Sequence, residues 1–455
     1  MPKNLLVLQR SCEIKMRIQW IADESLDQIV FSKETFKECE ILPQRFIFHF
    51  GAWKKEVAVK YEDHFPVNAI GLSNSLSNFF DIPQHLPYEI SLKGRNLYLG
   101  PVIAFITVTN KKNLTIEKLN KSKPYFADYH NIKGLIYICA VNGIDVTSKT
   151  IEGFYYDPNS PDDCPWKPGR FPYPSALYRK VAVIEPQIYD SLITTIGDRI
   201  FNGYLFNKEE LWEWLSPYPA LRAHLPHTKK LTSLADLDEM LSLYGTVYLK
   251  QVDSYKARGI IKADRTLEGY HFTYRLKGTK IKESTEEAAQ FITELTLESN
   301  YLIQQAISTT RYDDRTFDFR VIIQKNLDRQ WTCPGIIARF GKKGSIATNF
   351  LLAGFALPCN EALKLAFKMN DRQAFLKEQE IIEICKKACE SLEQCGGHYG
   401  DLGVDVIVDS NLKIWILEIN KLHDHKYPLY ALKDNQLYLK VVTTPFYYAK
   451  SLAKF

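Results

Sequence analysis

The sequence predicts a multidomain protein of mixed α+β and α/β class, with a β-rich unit over residues 1–98, an α/β unit over 99–200 and a two-lobed α+β unit over 201–455. Three observations carry this. The chain has 455 residues, and at about 150 residues per domain that length suggests about three domains. Short alternating segments such as FIFHFGAW and KEVAVKY fill the first part, the pattern of half-buried strands. At Leu99 the texture changes to LGPVIAFITV, a continuous apolar run suited to a strand covered on both faces, as in a parallel sheet.

In the first unit Gly71, Asn74, Pro83 and Pro87 punctuate the strands, and LSNSLSNFFDI reads as a helical cap. In the second, GLIYICAV and SALYRKVAVI read as further buried strands, residues 186–200 as a helix and the Pro-rich stretch 157–174 as an ordered loop or lid. Pro172, Pro174 and Arg179 then fall in a loop before a strand. In the third, the helix KEELWEWL, the strand GTVYLKQV, the helix TEEAAQFITELTLES and the strand YLIQQAI build a small lobe. The strands DFRVIIQK and GIIARF, a long helix over 372–394 and the closing pair GVDVIVD and KIWILEIN build a larger antiparallel one.

Composition excludes several classes of function. Apolar residues make up 45% and charged residues 24% of the chain, the usage of folded globular proteins. The formal net charge of +5 is small for this length, and no polybasic patch forms. Lys229 and Lys230 are the most compact basic pair, and the stretches 110–123 and 339–343 read as solvated turns or anion contacts. Nucleic acid is therefore excluded as the main partner. Nine cysteines, odd in number and scattered, point to a reducing compartment. Cys385, Cys389 and Cys395 lack the matching Cys or His pair that completes a zinc site. MPKNLLVLQRSCEIK lacks the apolar core of a signal peptide, and no run of about 18 apolar residues spans a membrane. The reading is a cytoplasmic protein with no membrane span.

The chemistry gathers at the C-terminal strands. Glu418 and Asn420 are two apart in LEIN, so they share one face of a strand while Ile419 packs on the other. If GVDVIVD pairs with KIWILEIN, Asp405 joins that face. Two carboxylates and an amide oxygen are hard ligands suited to Mg²⁺ (or Mn²⁺), an ion that shares its coordination with substrate phosphates. That pattern predicts a bound nucleotide, whereas an ordinary hairpin would show the same residues to solvent.

G-x-D followed after a hairpin by E-x-N resembles the metal-binding end of the ATP-grasp superfamily. The resemblance implies a two-lobed ATP-grasp domain over 201–455, a pre-ATP-grasp, substrate-side domain over 99–200, and Asp405, Glu418 and Asn420 as metal ligands. Asn207-Lys208, followed by LWEWL and LPHT, resembles the opening of that domain and implies a phosphate contact for Lys208. Lys250 in VYLKQ resembles the second ATP lysine, and DSYKARGI stands where the family carries its phosphate loop. That loop has one glycine here, Gly259, beside Lys256 and Arg258, whose side chains can replace amide donors as phosphate ligands. YLIQQAI resembles the hinge, which implies that Gln304, Gln305, Ala306 and Ile307 line the adenine. Asp318 and Arg320 in DFR resemble the ribose carboxylate and the arginine over the reacting phosphate, and Arg339 and Asn349 resemble the next catalytic pair. Read from the residues alone, Lys250 is a strand-end lysine in water, and Asp318 with Arg320 is a surface pair.

LYLGPVIAFITV and KPGRFPYPSALYRK, ahead of these segments, resemble the YheC/YheD branch, called endospore coat-associated. The superfamily resemblance implies an ATP-dependent carboxylate–amine (or carboxylate–thiol) ligase that works through an acylphosphate, forms a C–N bond and releases ADP and phosphate. The substrate would be an amino acid, a peptide or a cell-wall or spore-related carboxylate. Two other readings stay open: an ATP-binding structural or regulatory protein associated with the spore layer, and an ATP-grasp phosphotransferase. The carboxylate, its acceptor and the oligomeric state are not named by the sequence. Cys164, Cys333 and His398 carry no required role, and His398 reads as structural. After Asn420 relatives often continue N-S-K-P-G, where this chain has KLHDHKY.

Overall fold

Alternation of apolar and polar residues closes the first strands on themselves. The computed structural model describes residues 15–22, 27–36, 43–160, 164–253, 259–274, 278–344 and 354–455. Strands β1 (Lys15–Ile21), β2 (Gln28–Ser32), β3 (Arg45–Phe50), β4 (Trp53–Glu62), β5 (Ala69–Ser73), β6 (Tyr88–Lys93) and β7 (Asn96–Gly100) form a closed barrel in the order β1-β5-β2-β4-β3-β7-β6. Phe46, Phe48 and Phe50 alternate along β3 and are fully buried. LSNSLSNFFDI supplies only a 3₁₀ turn, Asn74–Asn78, in place of the expected helix. Its Ser and Asn side chains compete for the backbone, and Ser77 donates to the Asn74 carbonyl at 2.7 Å.

A second sheet follows, made of β8 (Val102–Val108), β9 (Leu135–Asp145), β10 (Thr150–Tyr156), β11 (Trp166–Pro172), β12 (Ala176–Arg179) and β13 (Ile200–Phe201). Its order is β11-β10-β9-β8-β12-β13, with β8 parallel to both β9 and β12. The apolar run of β8 is buried from Val102 to Ile106, as its sequence requires. The Pro-rich stretch is more than a loop, because β11 lies within it and pairs with β10 from Pro172 to Trp166. Arg179, expected in a loop, ends β12 and is buried. Its guanidinium donates to the carbonyls of Val181 (2.9 Å) and Ala182 (2.7 Å).

The chain divides into two compact units. One holds Met1–Gly203, Lys325–Gln330 and Leu439–Phe455, and the other holds Tyr204–Gln324 and Trp331–Tyr438. No helix among the described residues is long and apolar enough to cross a membrane.

Within the second unit lie two antiparallel sheets. The smaller is built from β14 (Thr228–Leu231), β15 (Thr246–Gln251), β16 (Ile260–Thr266), β17 (Gly269–Tyr274), β18 (Gly278–Lys282) and β19 (Tyr301–Gln305), in the order β14-β19-β15-β16-β17-β18. Helices Leu234–Tyr244 and Thr285–Glu298 bury Leu237, Met240, Phe291 and Ile292 in its core. The larger is built from β20 (Phe317–Lys325), β21 (Trp331–Phe340), β22 (Phe355–Pro358), β23 (Asp401–Val408) and β24 (Ile414–Asn420), in the order β22-β21-β20-β23-β24.

Period-two alternation sorts the larger sheet into two faces. Phe317, Phe319, Val321 and Ile323 of β20, with Leu402, Val404, Val406 and Val408 of β23, share one core with the helix Asp371–Gln394. Cys385 and Cys389 belong to that core, and burial pushes the Cys385 thiol well up. Their neighbours in sequence, Asp318, Arg320, Gln324, Asp401 and Asp405, turn to the opposite face.

Candidate active site

The hairpin of β23 and β24 aligns the predicted oxygen donors. Asp405 lies opposite Glu418 and Gly403 opposite Asn420, so all three donors occupy one face. The register shifts between Asp405 and Val406, whose partner is Ile416. Leu417 is thus the extra residue of a bulge. The bulge lets Ile416 and Ile419 both enter the apolar core while Glu418 turns to the polar face.

Strand β20 adds the arginine, since Arg320 lies opposite Asp405 in the ladder. Its Nε and Nη2 donate to the two oxygens of Asp405 at 2.5 and 3.0 Å. Arg339 of β21 donates to both oxygens of Asp318 at 2.7 Å and reaches Asp405 at 3.1 Å. Asp318 and Arg320 therefore form no pair with each other at the surface. Each is buried and joined to a residue of another strand, and Asp318, the expected ribose carboxylate, has both oxygens engaged by Arg339. Burial alone would raise the Asp405 pKa, but the guanidiniums of Arg320 and Arg339 hold it down at about 2. The Tyr427 ring lies 5.4 Å from Arg320 and 5.5 Å from Arg339, within cation–π range.

A cleft lies beside this network, walled by Trp212, Leu225, Leu302 and Leu417 and floored by Lys208, Lys250 and Gln304. Lys208 is positioned by a capping box, in which Asn207 accepts from the Glu210 amide at 2.9 Å and Glu210 accepts from the Asn207 amide at 2.7 Å. The Lys208 ammonium donates to the carbonyls of Gln251 (3.1 Å) and Val252 (3.3 Å), at the root of the expected phosphate loop. That loop is closed by the Gln251 amide donating to the Gly259 carbonyl at 3.2 Å. Gly259 has φ +69°, and a Cβ there would meet the Gln251 side chain at 2.6 Å, so its glycine is required by the backbone.

Lys250 donates to the Gln304 amide oxygen, which the amide's own donation to Thr228 at 3.0 Å holds in place. Burial pushes the Lys250 ammonium down to about 8, with Glu418 opposing the shift and Lys208 adding to it. Lys421, which follows Asn420, donates to the Phe206 carbonyl and sits 4.1 Å over that ring. Burial takes it to about 8 as well, again opposed by Glu418. Burial also lowers Lys208, with Glu418 opposing it too. All three ammonium groups thus feel the Glu418 carboxylate. Lys421 and Tyr427 were not singled out from the sequence, because their placement depends on how the chain turns after β24.

Of the hinge residues, Gln304 reaches the cleft, whereas the backbone amides of Gln305 and Ala306 donate to the carbonyls of His227 (2.8 Å) and Thr246 (3.3 Å). Ile307 follows β19 and is half-buried. Lys256, Arg258 and Asn349 lie outside the described residues. Trp212 contributes a group that the sequence did not mark, an indole N–H that is buried and has no hydrogen-bond partner among the described residues.

The sequence model described as YheC/D like ATP-grasp matches residues 197–452. The chain belongs to the YheC/D-like ATP-grasp family. Endospore coat-associated protein YheD of Bacillus subtilis (strain 168) is 24% identical over 426 residues, covering 88% of each chain. YheC of the same organism is 22% identical over 208 residues, covering 45% of this chain and 56% of that protein. Among solved structures, the ATP-grasp ligase PsnB in complex with the precursor peptide PsnA2 and AMPPNP has a TM-score of 0.44 at 10% identity, covering 78% of this chain and 99% of that one. The D-alanine-D-alanine ligase from Coxiella burnetii has a TM-score of 0.43 at 11% identity, covering 77% and 97%. The YheC/D-like match includes every predicted site residue from Lys208 to Asn420.

Proposed function

We propose that this YheC/D-like ATP-grasp protein is an ATP-dependent ligase that activates a carboxylate as its acylphosphate and passes it to an amine, or alternatively a thiol. One observation carries the reading: Lys208, Lys250 and Lys421, three lysines whose pKa burial lowers and Glu418 raises, gather beside an apolar cleft. Three clustered ammoniums suit a polyphosphate, and the apolar walls suit a base. The donors of Glu418, Asp405 and Asn420 fit a hard divalent cation such as Mg²⁺, although the Asp405 oxygens face guanidiniums and the Asn420 amide donates to one of them at 3.3 Å. When bound, such an ion neutralises charge on the phosphates.

The protein's own groups then have distinct tasks. Lys250, steadied by Gln304, and Lys208 hold the phosphate chain, while the Trp212 indole N–H, the buried donor without a partner, meets an acceptor of the base. Arg320 and Arg339 offset charge that grows on the transferred phosphoryl group, and Asp318 positions Arg339 through its two hydrogen bonds. A substrate carboxylate oxygen forms a bond to the γ-phosphorus as the bond to the β-bridging oxygen breaks and ADP leaves. The acceptor nitrogen then attacks the acyl carbon, inorganic phosphate leaves, and the amine proton is lost. The substrate class that suits this reaction is an amino acid, a peptide or another carboxylate of the cell wall or spore, and the naming of YheD and YheC supports placing it at the spore.

The test is an ADP-release assay with pools of amino acids and peptides, coupled to mass spectrometry for products heavier by one condensation. Release of ADP only when both a carboxylate and an amine are present supports ligation. Tight ATP binding with no ADP from any pool supports the second reading, a nucleotide-binding structural protein. The engagement of both Asp405 oxygens by arginine favours that reading.

A further inference from the structure

Strand β23 carries a second buried carboxylate. Asp401 precedes Asp405 by four residues, so both point to the same face, and Asp401 is fully buried. After Asn420 the segment KLHDHKY returns to this carboxylate. His423 Nε2 lies 2.9 Å from Asp401 Oδ1, and His425 Nε2 lies 2.8 Å from Oδ2. Both imidazoles are buried, with ring centroids 4.6 Å apart. Gln324 of β20, opposite Asp401 in the ladder, donates to Oδ1 at 2.7 Å and fixes the carboxylate. Gly403 leaves room for the first ring, since a Cβ there would meet His423 Cβ at 2.8 Å.

We propose that Asp401, His423 and His425 bind a first-row divalent transition ion, with Zn²⁺ the expected occupant. One ligand atom of each residue lies within 4.8 Å of the other two, a spread that bonds of about 2.0–2.2 Å to a common ion can span after small rotations. Two imidazoles with one carboxylate select zinc or iron, whereas the all-oxygen set of Asp405, Glu418 and Asn420 selects magnesium or manganese. The ion pins the tail that follows Asn420. Because His423 covers Gly403, the cross-strand partner of Asn420, the ion sets the path of the chain on the acceptor side of the candidate active site. The site stands on these residues alone and does not depend on ligase activity.

The experiment measures metal in the untagged full-length chain, purified without chelator, dialysed against metal-free buffer and analysed by elemental mass spectrometry. About one zinc or other first-row divalent ion per chain is expected, falling below about a tenth in His423→Gln and in His425→Gln. Glutamine keeps an N–H able to donate to Asp401, and circular dichroism verifies that the variants fold. A second readout is independent of the variants: the midpoint of thermal unfolding of the metal-stripped wild-type chain rises when Zn²⁺ is added. A wild-type chain that holds no metal and shows no rise overturns the proposal. Folded variants that retain the wild-type metal content overturn it too, because the ion would then lie elsewhere.

Discussion

Two groups of charges lie side by side in the second unit and differ in how they are balanced. Asp318, Arg339, Asp405 and Arg320 are two acids and two guanidiniums, all buried, joined by bidentate bonds of 2.5 to 3.0 Å. That group is complete within the protein. At the cleft, Lys208 and Lys250, with Lys421 beside them, all feel the carboxylate of Glu418. That second group gathers three ammoniums, each held below its usual pKa by burial. The first has the arrangement of a rigid scaffold that holds Arg320 and Arg339 in place for the phosphoryl group, and the second that of a receptor for a polyanion.

Breaking the balanced group should have the largest effect. Arg339→Ala leaves Asp318 without its bidentate partner and removes one contact from Asp405. Losing one member of a buried ion pair costs about 3–5 kcal/mol, to be read as a lower midpoint in urea unfolding. Replacing both partners, in Asp318→Leu with Arg339→Met, should cost much less, because matched apolar groups leave no uncompensated charge. If the single and the double replacement destabilise equally, the pair does not act as a closed unit.

Breaking the lysine group should affect chemistry and leave the fold alone. Lys250→Ala is expected to lower ADP formation by about 10²–10³-fold, the usual cost of removing one donor to developing charge. Stability should hold or rise, since the variant no longer buries an ammonium. Glu418→Gln should lower turnover to a similar degree, as it removes a proposed metal ligand. Full turnover in either variant would refute the assignment of the cleft to the phosphates.

Much of this contrast was legible in the sequence, though unevenly. The alternation of Glu418 and Asn420 around Ile419 and the pairing of GVDVIVD with KIWILEIN are local, and period-two geometry specifies them. The partners of Asp318 and Arg320 are not local. Asp318 meets a residue 21 positions on and Arg320 one 85 positions on, and only the order of β21, β20 and β23 brings them together. The tail KLHDHKY was seen as a departure from relatives, but its turn back over β23 follows no periodic pattern. The H-x-H spacing, with an aspartate four residues before Asp405, was the available signal. The bulge at Leu417 has no local marker such as glycine.

A smaller effect tests the apolar end of the cleft. Trp212→Phe keeps the ring but removes the buried indole N–H. If that donor meets the base, ATP binding should weaken by up to about tenfold, the worth of one net hydrogen bond, as measured by calorimetry. Unchanged affinity, or an equal loss for inorganic triphosphate, would remove Trp212 from base recognition.

The mildest perturbation is pH, and it separates the two groups without mutation. Asp405, held at about 2 by its guanidiniums against an ordinary 3.8, contributes stability that is present above about pH 4 and lost as pH falls toward 2. Asp405 is therefore silent between pH 5 and 9. Lys250 and Lys421 behave differently, with pKa values of about 8 against an ordinary 10.5. Between about pH 8 and 10.5 the unfolded chain holds more protons at these sites, so their contribution makes the nucleotide-free protein more stable as pH rises. Nucleotide binding should show the opposite trend. A phosphate chain favours the charged lysines and raises their pKa values, so binding takes up protons, and affinity falls severalfold, up to about tenfold per lysine, between pH 7 and 9. Calorimetry at pH 8.5 in buffers of different ionisation enthalpy measures that uptake directly. Binding without proton uptake, together with an affinity flat from pH 7 to 9, would mean that the phosphates do not meet these lysines.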